Sequence, residues 1–216
     1  MIRLSFASGA RPPRSVLCLG AHCDDIEIGC GGTILRLTEE IPGLLVHWIA
    51  LSSDSVRANE AKRSAKLFLI KAGASQVVIQ DFRNGFLPYQ GGEVKEYFET
   101  IKHLSPDLVF THYRHDLHQD HRLVSELTWN TFRDHFILEY EVPKYDGDLG
   151  SPNVFVELDE NTCRRKVGTI MECFVSQRDK RWFTEDAFLG LMRLRGVESN
   201  ASGNHAEGFY GRKIVL

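Results

Sequence analysis

No run in the 216 residues approaches the roughly 20 apolar positions that a membrane-spanning helix needs, so no span is expected. The first 13 residues are interrupted by Arg3 and Arg11 and contain no apolar core, which argues against a secretory signal. Cysteine is sparse and odd in number. Cys18, Cys23, Cys30, Cys163 and Cys173 show no framework spacing, so reduced thiols in a cytoplasm are expected rather than a disulfide scaffold. A basic excess is also missing: 26 Lys and Arg stand against 29 Asp and Glu, a net charge of −3. That balance removes the electrostatic case for nucleic acid or an anionic membrane surface as partner. Internal repeats, low-complexity tracts and linker-like stretches are absent. With 43% hydrophobic and 25% charged residues, the chain is long enough for one core and short for two. A single domain over residues 1–216 is therefore expected.

What the chain does have is a regular alternation of strand and helix signals. Residues 15–19 read as a buried strand that breaks at Gly20. His22, Asp24, Asp25 and Glu27 follow, and Gly29, Gly31 and Gly32 lead into a helical spacing that runs to Glu40. Residues 44–51 read as a second strand, 57–72 as an amphipathic helix, 76–80 as a third strand and 93–104 as a helix. A fourth strand, 107–111, is followed by a histidine-rich loop and a helix over 122–132. Four such units predict an α/β fold, Rossmann-like, with a mainly parallel sheet flanked by helices. The C-terminal third is less regular, with strands expected at 137–142, 153–158 and 208–216 and helices at 159–174 and 185–195.

Two clusters at strand ends carry the chemistry. Open parallel sheets place ligands beyond the carboxyl ends of their strands, and His22, Asp24 and Asp25 crowd such an end. Carboxylates this close repel one another unless a cation or proton sits between them. Beyond the fourth strand lie His112, His115, His118 and His121, four of the nine histidines. Imidazoles and a carboxylate suit zinc, and three protein ligands leave a fourth position open. Asp120, beside His121, is placed to accept a ring N–H. Other readings are a solvated acidic turn with a polar loop, and a closed structural zinc site that adds Cys23 and Cys30. A zinc-containing binding protein without turnover is a further one. A dinucleotide or S-adenosylmethionine site on Gly29, Gly31 and Gly32 is disfavoured, because eight residues separate Gly20 from Gly29.

The stretch Ala21-His22-Cys23-Asp24-Asp25-Ile26-Glu27-Ile28-Gly29-Cys30-Gly31-Gly32-Thr33 resembles the signature of the PIG-L/LmbE-like deacetylases, and His118-Gln119-Asp120-His121 resembles their second motif. Arg57-Ala58-Asn59-Glu60-Ala61, Asn84-Gly85-Phe86-Leu87 and Ala206-Glu207-Gly208-Phe209 also resemble family stretches. The resemblance implies a zinc-dependent hydrolase that removes an N-acyl group, most often acetyl, from an amino-sugar compound. It implies His22, Asp25 and His121 as zinc ligands, Asp24 as general base, and His118 as the cation or donor facing the oxyanion, with Asp120 beside it. Arg57 is implied in the substrate pocket, where Arg57→Ala would raise KM. The implied partner is an N-acetylated sugar, sugar conjugate or sugar nucleotide, with further copies of the chain left open. Two positions depart from the pattern. Cys23 stands where the family has proline, and Asp116 and Leu117 stand where an aromatic residue often precedes the second motif.

Overall fold

Alternation along the central strands sorts side chains onto two faces, and each face has its own core. The computed structural model describes residue 5 and residues 12–214; most of the N-terminal stretch read for a targeting signal lies outside them. The strands are β1 (Ser15–Gly20), β2 (Leu45–Ser52), β3 (Ala74–Phe82), β4 (Leu108–His112), β5 (Phe136–Tyr140), β6 (Val154–Leu158) and β7 (His205–Gly211). The helices are α1 (Asp25–Glu40), α2 (Ser55–Phe68), α3 (Gly91–Ile101), α4 (Gln119–Thr131), α5 (Glu160–Cys173) and α6 (Glu185–Glu198). Val16, Cys18, Val46, Trp48, Leu108 and Phe110 turn to the face covered by α1, α2, α5 and α6. Leu17, Leu19, Ile49, Leu51 and Val109 turn to the face covered by α3 and α4. Among the described residues no helix is long and apolar enough to cross a membrane.

The seven strands run in the order β3-β2-β1-β4-β5-β7-β6. The first five are parallel, and β7 pairs antiparallel with both β5 and β6. This is the expected mainly parallel sheet with a less regular C-terminal part. The chain goes from β1 outward to β2 and β3, then returns to β4 on the other side of β1. The order thus reverses between β1 and β4, and the crevice at such a switch point is where open sheets bind ligands. Both motif clusters leave the sheet there.

One expectation about the first motif is corrected. The glycines do not precede a helix beginning near residue 32; they lie inside α1, which starts at Asp25. Glycine inside a helix costs roughly 1 kcal/mol against alanine, so a local reading favours a turn. Close packing outweighs that cost. A Cβ on Gly29 would sit 2.1 Å from the Tyr140 ring, and one on Gly32 would sit 2.5 Å from Leu158. The glycines are what let α1 lie flat on β5 and β6.

Candidate metal centre

The turn after β1 is tied down from both neighbouring strands. Ser52, the last residue of β2, donates its amide (2.9 Å) and its hydroxyl (2.6 Å) to the Ala21 carbonyl. From β4, His112 Nε2 accepts the Ala21 amide at 2.9 Å. Cys23, at the position of the family's proline, turns its Sγ to the Ser52 carbonyl at 3.5 Å. Burial pushes this thiol up to about 12. Cys30 is a core residue with its thiol likewise raised by burial. Among the described residues, the donor groups that could hold an ion include neither cysteine, so the closed site with two cysteine ligands does not form.

Three donor atoms converge in the crevice. His22 Nδ1 lies 3.1 Å from His121 Nε2 and 3.2 Å from Asp25 Oδ2, and His121 Nε2 lies 3.5 Å from Asp25 Oδ2. Tetrahedral zinc with bonds of about 2.0–2.1 Å needs its ligand atoms about 3.3 Å apart. The triangle matches that edge on all three sides. The residues fit a divalent ion, and they are the three that the sequence singled out. His22 is 7% exposed, Asp25 3% and His121 2%. Two overlapping donor groups also exist, one with His118 and one with His112. His112 Nε2 is already accepting the Ala21 amide, which leaves it no lone pair for an ion.

The outer nitrogen of each imidazole meets a carboxylate. Asp120 Oδ2 faces His22 Nε2 at 3.2 Å, and Asp116 Oδ2 faces His121 Nδ1 at 2.8 Å. A carboxylate there calls for N–H on that side and leaves the inner lone pair free. Asp120, expected to accept a ring N–H, faces that of His22 across the crevice and not that of its neighbour His121. Residues next to each other at the start of α4 point apart, whereas Asp120 reaches across the crevice. It also accepts the amides of Gly85 (2.7 Å) and Leu87 (3.1 Å), which fixes the loop before α3 against the site. Asp116 is the participant that sequence reasoning missed.

The electrostatics of these donors are those of a site that favours positive charge. Burial lowers His22, but Asp25, Asp120 and Asp24 outweigh it and hold its imidazolium up to about 9. Burial and the charge of His112 push His121 down to about 3. Burial opposes ionisation of Asp25, yet His121, His22 and His112 hold its carboxyl well below the usual range.

Asp24 and Asp25 point to different work. Asp24 Oδ1 accepts from Arg57 Nη2 at 2.7 Å, with both groups buried. Arg57 stands in the first turn of α2, where Asp54 caps the helix through the amides of Val56 and Arg57. Glu60, one turn along the helix from Arg57, is engaged elsewhere and accepts from the amide and hydroxyl of Ser176. The buried Nε of Arg57 has no hydrogen-bond partner among the described residues. Its first contact is the proposed base, so the expected effect of Arg57→Ala shifts from KM alone to kcat. Misplacing a reacting group by about 1 Å costs on the order of 10²-fold, and kcat should fall by about that much. A rise in KM at unchanged kcat would show that Arg57 acts on substrate only.

His118 is the N-cap of α4, and its Nδ1 accepts the Asp120 amide at 3.2 Å. Its Nε2 is left to carry the proton. Burial and the charge of His22 hold it below its ordinary value. A protonated His118 was expected; the surroundings favour a neutral N–H donor.

Comparison with known proteins follows the same lines. A diacetylchitobiose deacetylase from Thermococcus kodakarensis is 31% identical over 127 residues, half of this chain and 45% of the relative. The matched region thus spans less than half the length of that relative. The N,N'-diacetylchitobiose deacetylase of Pyrococcus horikoshii superposes with a TM-score of 0.69 at 22% identity, covering 93% of this chain and 84% of its own. A 4-carboxy-2-hydroxymuconate hydratase of Pseudomonas putida superposes with a TM-score of 0.75 at 18% identity, over 94% of this chain and 98% of its own. At these identities the structural likenesses establish the fold alone, and the hydratase means that activity has to be argued from the site. The PIG-L family, described as GlcNAc-PI de-N-acetylase, matches residues 17–132, more than half of the chain and every candidate site residue named above, and the chain belongs to that family.

Proposed function

We propose that this chain is a zinc-dependent hydrolase that removes the N-acetyl group from an amino-sugar small molecule, releasing acetate and a free amine. The observation that carries this is the triangle of His22, Asp25 and His121 with Asp24 beside it and turned elsewhere. A divalent ion on those three donors would supply Lewis acidity toward a water and an acyl carbonyl. Asp24, held by Arg57, accepts the proton of the attacking water and returns it to the leaving amine. His118 donates from Nε2 to the carbonyl oxygen as it becomes an oxyanion. Asp120 keeps His22 in the required tautomer and holds the Asn84–Phe86 stretch over the site. Arg57 offers its unpartnered Nε to the substrate.

The substrate class follows from the family and from the deacetylase relatives: an N-acetylated sugar, sugar conjugate or sugar nucleotide. Five cysteines, all buried and free, suit a reducing compartment, and we assign the protein to the cytoplasm. Residues 1–216 form one deacetylase domain in this reading.

Metal analysis of protein purified without chelator is expected to find about one transition-metal ion per chain, with most of it lost in His121→Ala. Full metal content in both His22→Ala and His121→Ala would exclude the ligand assignment. Release of acetate from a panel of N-acetylated sugars and sugar nucleotides tests the reaction itself. A panel hydrolysed no faster by the metal-loaded protein than by buffer would count against the substrate class.

A further inference from the structure

His121 stands in the first turn of α4, and its ring is held by very little besides stacking. It lies 3.8 Å from the His112 ring and 4.6 Å from the His118 ring, centroid to centroid. Stacking fixes the plane of an imidazole but not which nitrogen faces the ion. That choice falls to the group at Nδ1, the Asp116 carboxylate at 2.8 Å.

Asp116 is itself pinned from several directions. Its Oδ1 accepts the His118 amide at 2.8 Å, and its own amide donates to the Tyr113 carbonyl at 3.1 Å. Oδ2, the oxygen that faces His121, also accepts from Lys144 Nζ at 2.9 Å. Lys144 lies in the segment between β5 and β6. Its ammonium further donates to Asp148 Oδ2 at 2.6 Å, and that same oxygen accepts the Leu117 amide at 2.7 Å. The segment is thereby fastened to residues 116 and 117 at two points. The side chains of Asp116, Lys144 and Asp148 are each less than a tenth exposed. A cation is needed at this place. Asp116 and Asp25 face opposite nitrogens of the same His121 ring, and without Lys144 the buried Asp116 carboxylate would lose the cation beside it.

We propose that Asp116 is the positioning carboxylate of the metal centre, and that the Lys144–Asp148 latch makes the 143–150 segment part of that centre by holding Asp116 in place. This rests on the metal-binding reading above and extends it to residues outside both motifs. Outer carboxylates of this kind change metal affinity by about 10–100-fold. Asp116 also has a local duty as acceptor at the start of α4, so a purely structural role has to be separated from a positioning one.

The test is the dissociation constant for Zn2+, measured by competition with a chromophoric chelator, alongside the melting temperature of the metal-free protein. Asp116→Asn keeps an acceptor for the His118 amide and removes the charge. It should bind Zn2+ about 10–100-fold more weakly, with the metal-free melting temperature close to that of the parent. Lys144→Met should weaken binding in the same direction, and Co2+ loaded in place of Zn2+ should show a shifted visible spectrum in both variants. Unchanged affinity in a folded Asp116→Asn would overturn the positioning role, whatever its melting temperature. Unchanged affinity in Lys144→Met would overturn the latch. If Asp116→Asn does not fold, Lys144→Met decides alone. A parent protein that binds no Zn2+ would instead remove the metal reading on which the inference stands, and this arm needs no knowledge of the substrate.

Discussion

Asp24→Asn will keep its metal and lose turnover by roughly 10²–10⁴-fold, the usual worth of a positioned acid/base. The expectation comes from how two adjacent carboxylates are used. Asp25 opens α1, and its Oδ2 lies within 3.5 Å of nitrogens on His22, His112 and His121. Asp24 precedes the helix, and its Oδ1 is turned to Arg57 at 2.7 Å. Asparagine at position 24 can still accept from Arg57, so the turn and the ion site should survive; what it cannot do is take a proton. Asparagine at position 25 leaves the three-donor set without its anion, and Asp25→Asn should weaken metal binding itself, with activity partly regained in excess zinc. Metal content and kcat measured on both variants check the assignment. Metal lost from Asp24→Asn and kept in Asp25→Asn would exchange the two roles. A confirmed hydrolysis indifferent to both changes would exclude the mechanism.

The convergence of His22, Asp25 and His121, which the resemblance implied as ligands, was legible in part because its two halves obey local rules. His22 and Asp25 are three apart at a strand-to-helix junction, so they converge once the chain turns helically. His121 follows a strand of its own, and alternation of strands and helices implies parallel strands with their ends at one edge. The order of those strands is not a local property. That β4 lies beside β1, with its histidines across from His22, depends on a return crossover that the alternation permits but does not require. The glycines of α1 misled for a related reason, since the rings and methyls that need the space belong to Tyr140, Phe68 and Leu158. Asp116 stood in view as a departure from an aromatic position, yet its use is set by where the loop before α4 folds back. Lys144 has no motif at all, and only the structure brings it 28 positions along the chain to Asp116.

The largest expected loss of stability lies on the opposite side of α1 from the crevice. Glu207, in β7, accepts the amides of Gly32 (2.8 Å) and Thr33 (2.7 Å) and the Thr33 hydroxyl (2.5 Å). Lys166, in α5, donates from Nζ to Glu207 Oε1 and to the Ile28 carbonyl, both at 2.6 Å. In an uninterrupted helix the amide of residue 32 would serve the carbonyl of residue 28. Here a carboxylate also accepts that amide and an ammonium also donates to that carbonyl, so the buried ion pair sits directly against the backbone of α1. Lys166 is 2% exposed and Glu207 4%. Removing one member of such a pair leaves an uncompensated buried charge and costs about 3–5 kcal/mol. For a chain of this size that corresponds to roughly 6–20 °C in Tm. Lys166→Met should therefore destabilise strongly, whereas Arg36→Met, which breaks the half-exposed i,i+4 pair with Glu40, should cost at most about 1 kcal/mol. Replacing both buried partners with apolar residues would not restore the parent stability, because the amides of Gly32 and Thr33 would lose their acceptor. Denaturant unfolding of the single and double variants measures these differences. A Lys166→Met protein within about 1 kcal/mol of the parent would mean that the Gly32 and Thr33 donors alone compensate the Glu207 carboxylate.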